Sequence, residues 1–154
     1  MRAPDTPPDY GWRRHNPGRV LDNALRRFED RVMALMLVAG HARTRRPHVN
    51  LTRHLDLEGT RITELARRAA MTNAAMTELI DQCEGWGLVE RLQDPQDKRA
   101  RVVRFTPAGL AWLTDFGLAV AQAQREMAAT VGDAAMAVLL DDLAVYAAET
   151  TGDV

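Results

Sequence analysis

The chain is 154 residues long, 46% hydrophobic and 5% aromatic, with a formal net charge of -1. That length suits one domain-sized unit, or a small domain with dimerising arms, around an aliphatic, Ala-rich core that favours helices. One cysteine excludes an intrachain disulfide framework, no run reaches the ~20 apolar residues of a membrane span, and the N-terminus lacks a signal peptide's apolar core, so a cytoplasmic protein is expected.

Met1 to His15 holds Pro4, Pro7, Pro8 and Gly11 and is expected to be irregular. Its Tyr10 and Trp12 either pack on the body or belong to a frayed end. Asn16-Pro17 is a helix start, Asn as cap and Pro in the first turn. The helix it opens should run to about Ala39 or Arg43, because Leu21, Leu25, Phe28, Val32, Leu35 and Ala39 recur at helical spacing. Gly40 and Pro47 end it. The basic stretch Arg43-Thr44-Arg45-Arg46-Pro47-His48 reads as a solvated loop or as a contact for phosphate or an anionic ligand. Val49 to Leu57 is predicted as a short helix, broken by Glu58-Gly59-Thr60.

Ile62, Leu65, Ala66 and Ala69 then share one helical face. Thr72 offers a hydroxyl to cap the next helix, Asn73 to Gly85, whose stripe is Ala75, Met76, Leu79, Ile80 and Cys83. If the turn at Ala70 needs a positive φ, alanine costs roughly 1–2 kcal/mol there. Gly87 is placed to stop the second helix, and Leu88-Val89 begins an extended segment. Asp94-Pro95 marks a turn, and Ala100 to Thr106 returns as a second strand. Thr106-Pro107 repeats the cap-plus-Pro start for a helix to about Thr130. Gly132-Asp133 interrupts it. A last helix carries Met136, Leu139, Leu140, Leu143 and Ala147 on one face and Asp141, Asp142 and Glu149 on the other, ending near Thr150.

Two short helices, a tight turn and a basic hairpin are the layout of a winged helix-turn-helix. The fold class expected is mainly α with a small two- or three-stranded β-wing, flanked by helices at both ends. In such a unit the N-terminal half of the second helix reaches base edges. Thr72, Asn73, Ala74, Ala75, Thr77 and Glu78 are therefore candidate contacts to double-stranded DNA. Asn can pair bidentately with adenine, and Thr and Ala can meet a thymine methyl. Yet this helix has no Lys or Arg and carries Glu78, Asp81 and Glu84. The hairpin is the more basic element: Arg91, Lys98, Arg99, Arg101 and Arg104 lie close together, and arginine at such a tip suits a narrow minor groove.

The segments TELARRAAMTNAAMTELID, GLVER and DPQDKRARVVRFTPAGL resemble the DNA-binding core of the MarR family of bacterial transcription regulators. The resemblance covers roughly Leu51 to Leu113, and Asp97-Lys98-Arg99-Ala100-Arg101 fits that family's wing signature. It implies that Asp97, Lys98, Arg99 and Arg101 belong to the DNA-binding wing, with Arg99 entering the groove and Asp97 holding the wing arginines. It also implies a homodimer formed through the terminal helices, and a small aromatic or anionic effector whose pocket residues the sequence does not give. The organisation expected is a tail at 1–15, a dimerisation helix at 16–46, the DNA-binding core at 47–106 and dimerisation helices at 107–154.

Charge is unevenly spread: residues 1–46 carry ten Arg against five acids, while 107–154 carry Arg125 against seven acids. The two ends could attract each other across a fold or a dimer. Nineteen of the twenty basic residues are arginine, which suits phosphate but is also consistent with a compositional bias. Enzyme readings find no inventory. His15, His41, His48 and His54 have no zinc-site spacing, and there is no Gly-rich phosphate loop or nucleophile elbow. No catalytic residue, cofactor or metal is expected, and Cys83 reads as an inert core residue. The function expected is a sequence-specific regulator, a ligand-responsive repressor on a pseudo-palindromic operator. The alternative is a winged-helix dimer acting through protein or ligand contacts without specific DNA binding.

Overall fold

The computed structural model of the chain describes residues 8–148. The expected irregularity of the first seven residues, and the Glu149 and Thr150 end of the last helix, lie outside them. The elements run α1 (Trp12–His15), α2 (Pro17–Val38), α3 (Arg46–His54), β1 (Thr60–Arg61), α4 (Ile62–Arg68), α5 (Asn73–Gly85), β2 (Val89–Gln93), β3 (Arg101–Phe105), α6 (Pro107–Val131) and α7 (Asp133–Ala148). The sheet is antiparallel in the order β1-β3-β2, with Val89 opposite Phe105, Gln93 opposite Arg101 and Thr60 opposite Val103. No described helix is long and apolar enough to cross a membrane.

The caps do what their chemistry requires. The side chains of Asn16, Thr72 and Thr106 accept from the backbone N–H groups of Arg19, Ala75 and Gly109 at 3.1, 3.1 and 3.0 Å. Each thereby satisfies a donor that the first helical turn leaves without a partner.

Two apolar clusters share the structure. The first joins Leu51, Leu65, Met76, Ile80, Cys83, Val89, Val103 and Phe105 inside the winged helix. The second packs Val32 and Met36 of α2 on Trp112, Ala119 and Ala123 of α6. Leu113 touches both. The α2 residues that reach the second cluster run only from Phe28 to Met36, so Leu21 and Leu25 of the expected stripe stay exposed. On α7 only Met136 is buried; Val145 and Tyr146 are 62% and 73% exposed.

Two local readings change and one open alternative narrows. Trp12–His15 is a short helix rather than irregular chain, with Arg13 and Arg14 donating their backbone N–H groups to Tyr10 and Gly11. Tyr10 and Trp12 do not pack on the body: both are more than 60% exposed. The basic stretch is not a solvated loop. Thr44 and His48 are buried, the Arg45 guanidinium donates to the carbonyls of Ala42 and Thr44, and Arg46 opens α3 and pairs with Glu29 and Asp30 of α2.

Ala70 occupies the left-handed region, φ 53°, alone among the described non-glycine residues. The reason is the way α4 stops. Met71 N–H donates to Ala66 at 2.9 Å and Ala70 N–H to Arg67 at 3.1 Å, a Schellman closure that needs a left-handed residue between helix and turn. The same closure ends α5, with Leu88 bonded to Cys83 and Gly87 to Glu84, and there Gly87 takes φ 76° at no steric cost. Replacing Ala70 by Gly should therefore stabilise the fold by about 0.5–1 kcal/mol, the relief of left-handed strain less glycine's extra unfolded-state entropy. The urea midpoint should rise; an unchanged or lower midpoint would show that Ala70 is held without strain.

Candidate nucleic-acid interface

The recognition helix α5 is held on three sides. Its apolar stripe, Met76, Leu79, Ile80 and Cys83, is buried against the first cluster. From α3, buried His48 reaches Gln82 at 2.8 Å through Nε2 and stands edge-on to Trp86, ring centroids 4.5 Å apart. His48 Nδ1 accepts the Arg45 backbone N–H at 3.0 Å, so the neutral ring carries its proton on Nε2 and donates it to Gln82. From β2, Arg91 donates to Glu84 at 3.1 Å, to Asp81, and to the Thr77 carbonyl at 3.4 Å.

What remains outward is the helix's N-terminal side. Thr72, Asn73, Ala74 and Glu78 are exposed, while Ala75 and Thr77 are half-buried. Thr72 is committed to the cap, so its oxygen serves the helix. Glu78 has no ion-pair partner among the described residues, whereas Asp81 and Glu84 have Arg91.

The five hairpin cations divide in the same way. Arg91 is tied to α5, and Arg104 pairs with Glu90 across the strands at 2.7 Å. Among the described residues no carboxylate lies within ion-pair distance of Lys98, Arg99 or Arg101, which are exposed at the tip and its base. Asp97 reaches Arg99 through the backbone N–H, at 3.0 Å, and not through its guanidinium. The carboxylate that braces the wing is Asp94, which is buried and accepts from Gln96 N–H at 2.8 Å and from Arg61 Nε at 2.6 Å. The Gln96 bond, with help from Arg61, holds its pKa below the ordinary carboxylate value against the opposing effect of burial. In the sequence, Asp94 marks only a turn. Its partner lies 33 residues away, a distance at which no local signal exists.

Behind the interface, a cavity of about 250 Å³ lies where the loop after α2 meets α6, lined by His41, Arg43, Thr44, Trp86, Leu88 and Trp112. Trp112 Nε1 donates to Thr44 at 3.0 Å, and His41 Nε2 meets Asp115 at 2.8 Å. No group of three or more His, Cys, Asp and Glu that could hold a metal is present among the described residues.

Cys83 is fully buried, and burial pushes its thiol up to about 11. A neutral-pH thiol reagent should leave the native protein unmodified and titrate one thiol per chain after denaturation. Because the folded pKa lies above the unfolded one, Cys83 should also take stability away as pH rises from about 9 towards 11. Fast native labelling at pH 7 would contradict the buried placement.

Residues 50–100 match the MarR family model. No curated protein sequence matches the chain significantly. Among solved structures, the fold is similar to apo wild-type MarR from E. coli, with a TM-score of 0.71 and 21% identity over 84% of this chain and 96% of that one. It is equally similar to the transcriptional repressor CouR bound to a 23-mer DNA duplex, with a TM-score of 0.71 and 21% identity over 92% and 99%. The PcaV regulator of Streptomyces coelicolor, in complex with its natural ligand, gives a TM-score of 0.65 and 22% identity over 92% and 96%. At such identities the likeness is one of fold. The family match lies within the winged helix, and the fold around it is similar to that of these regulators.

Proposed function

We propose that the chain is a homodimeric, sequence-specific DNA-binding repressor, responsive to a small ligand, acting on a pseudo-palindromic operator. The observation that carries this reading is the pairing of two free surfaces. The exposed N-terminal side of α5 sits on the same domain as a wing whose tip cations, Lys98, Arg99 and Arg101, have no ion-pair partner among the described residues. Unpaired, solvent-facing arginine is what a phosphate or a narrow minor groove requires. Asn73 is the candidate base reader, flanked by Ala74 and Thr77. The repressor CouR, whose fold this chain shares, is bound to a DNA duplex.

Dimerisation rests on the ends. Val20, Leu21 and Leu25 of α2 and Val138, Leu139, Leu140, Val145 and Tyr146 of α7 are exposed, and a second copy packed on these helices would cover them. A second copy placed there would set two recognition helices about one DNA turn, ~34 Å, apart. The cavity between Trp86 and Trp112, with Arg43 at its rim, suits a small aromatic or anionic effector. PcaV, on the same fold, is in complex with its natural ligand.

One observation favours the alternative of a winged-helix dimer without specific DNA binding: α5 exposes Glu78 and has no basic residue. Gel shifts with genomic fragments at two salt concentrations separate the readings. On the DNA reading, Arg99→Ala should weaken binding and make the log–log salt slope shallower by roughly 0.9 per lost contact, nearly two units per dimer, with circular dichroism unchanged. Wild-type affinity and slope in that variant would favour the alternative. Deleting Asp133 to Val154 should give monomer or aggregate in sedimentation velocity; a folded, stable dimer would place the interface elsewhere.

A further inference from the structure

The recognition helix carries its acids in a row. Glu78, Asp81 and Glu84 follow at steps of three, and Asp81 lies on the same face as Ala74 and Thr77, seven and four residues earlier. If Ala74 and Thr77 meet base edges, Asp81 comes close behind them, within a Debye length of the phosphates on either side. Uncompensated, these three carboxylates give each helix a charge of -3 in a field that is already negative.

Arg91 intervenes. It comes from β2, is less than a quarter exposed, and divides its guanidinium between Glu84 and Asp81, with a third contact to the Thr77 carbonyl. The Arg91 backbone N–H also donates to Glu84, at 3.2 Å, so strand and side chain grip the same carboxylate. The planar, forked guanidinium serves two carboxylates and a carbonyl from one position. The helix face therefore presents -2 rather than -3, with two of its carboxylates turned onto a guanidinium.

We propose that Arg91 is a positioning residue for DNA binding: it holds Asp81 and Glu84 out of the phosphate field. The inference rests on the DNA-binding reading above. On it, Arg91 contributes by cancelling repulsion, in contrast to Arg99, which would contribute by direct attraction.

The test uses the full-length protein and a labelled duplex that the wild type selects from genomic fragments. Arg91→Ala should weaken binding about tenfold, equivalent to ~1.4 kcal/mol, while sedimentation and circular dichroism stay as in wild type. Arg91→Lys keeps the charge without the fork and should fall between the two. Adding Asp81→Asn and Glu84→Gln to Arg91→Ala leaves only Glu78 charged on that face and should restore affinity to wild type or better. The Asp81→Asn/Glu84→Gln variant with Arg91 intact should bind more tightly than wild type.

Two results would overturn the proposal. One is an Arg91→Ala protein that binds as wild type does. The other is a triple variant as weak as Arg91→Ala, which would make Arg91 a direct phosphate contact or a scaffold strut. A wild type that selects no duplex overturns the DNA reading itself, and this inference with it; selection by wild type with indifference at position 91 overturns the inference alone.

Discussion

The domain is organised by a contact that no side chain could tolerate. At Gly109, in the first turn of α6, an added Cβ would lie 1.9 Å from the Leu88 carbonyl oxygen, so helix and strand root touch backbone to backbone. Thr106 closes the same joint: its N–H donates to Leu88 at 3.1 Å and its hydroxyl donates to Gly87 while accepting from Gly109. Leu88 follows directly on the turn that ends the recognition helix. The end of α5, the base of the wing and the start of α6 are thus fixed at one point. The direction in which α6 leaves the domain is therefore coupled to the attitude of α5.

Around that joint the two apolar clusters divide the labour. The winged-helix cluster is closed and fully lined, while the α2–α6 cluster is open at its far ends and continues into exposed Leu21, Leu25 and α7. The link between α2 and α6 is reinforced by charge. Arg31 holds Glu126 bidentately at 2.7 and 2.9 Å, and that hydrogen-bonded pairing keeps the Glu126 carboxyl down to about 2. The pair is exposed, so it fixes geometry more than it adds stability. Trp112 belongs to the second cluster and also lines the cavity beside the joint. A ligand there would lie against α6 and the Leu88 root together.

Electrostatics on this chain are a matter of allocation. The net charge of -1 conceals a division between cations spent inside the fold and cations left for a partner. Arg31, Arg46, Arg53, Arg61, Arg68, Arg91 and Arg104 each have a carboxylate within reach. Among the described residues Lys98, Arg99 and Arg101 do not, because the Asp97 carboxylate accepts from the Arg99 backbone N–H and Asp94 is occupied by Arg61 and Gln96. The wing's acids thus shape its tip without cancelling its charge.

Much of what local chemistry decides was legible in the sequence by itself. Cap residues and glycine stops fixed α5 at Asn73–Gly85, and Thr106-Pro107 fixed the start of α6, because a cap acts on donors two or three residues away. The wing signature carries the resemblance to the MarR family for the same reason: the turn and its cations are contiguous. Tertiary structure alone decided which charges are free. Five hairpin cations look alike in sequence, but only folding brings Asp81 and Glu84 to Arg91 and Asp94 to Arg61. It alone showed that β1 adds a third strand. It alone showed how much of the α2 stripe α6 can cover. These depend on contacts between residues far apart in the chain, and periodicity specifies a helix's face without specifying what will lie against it.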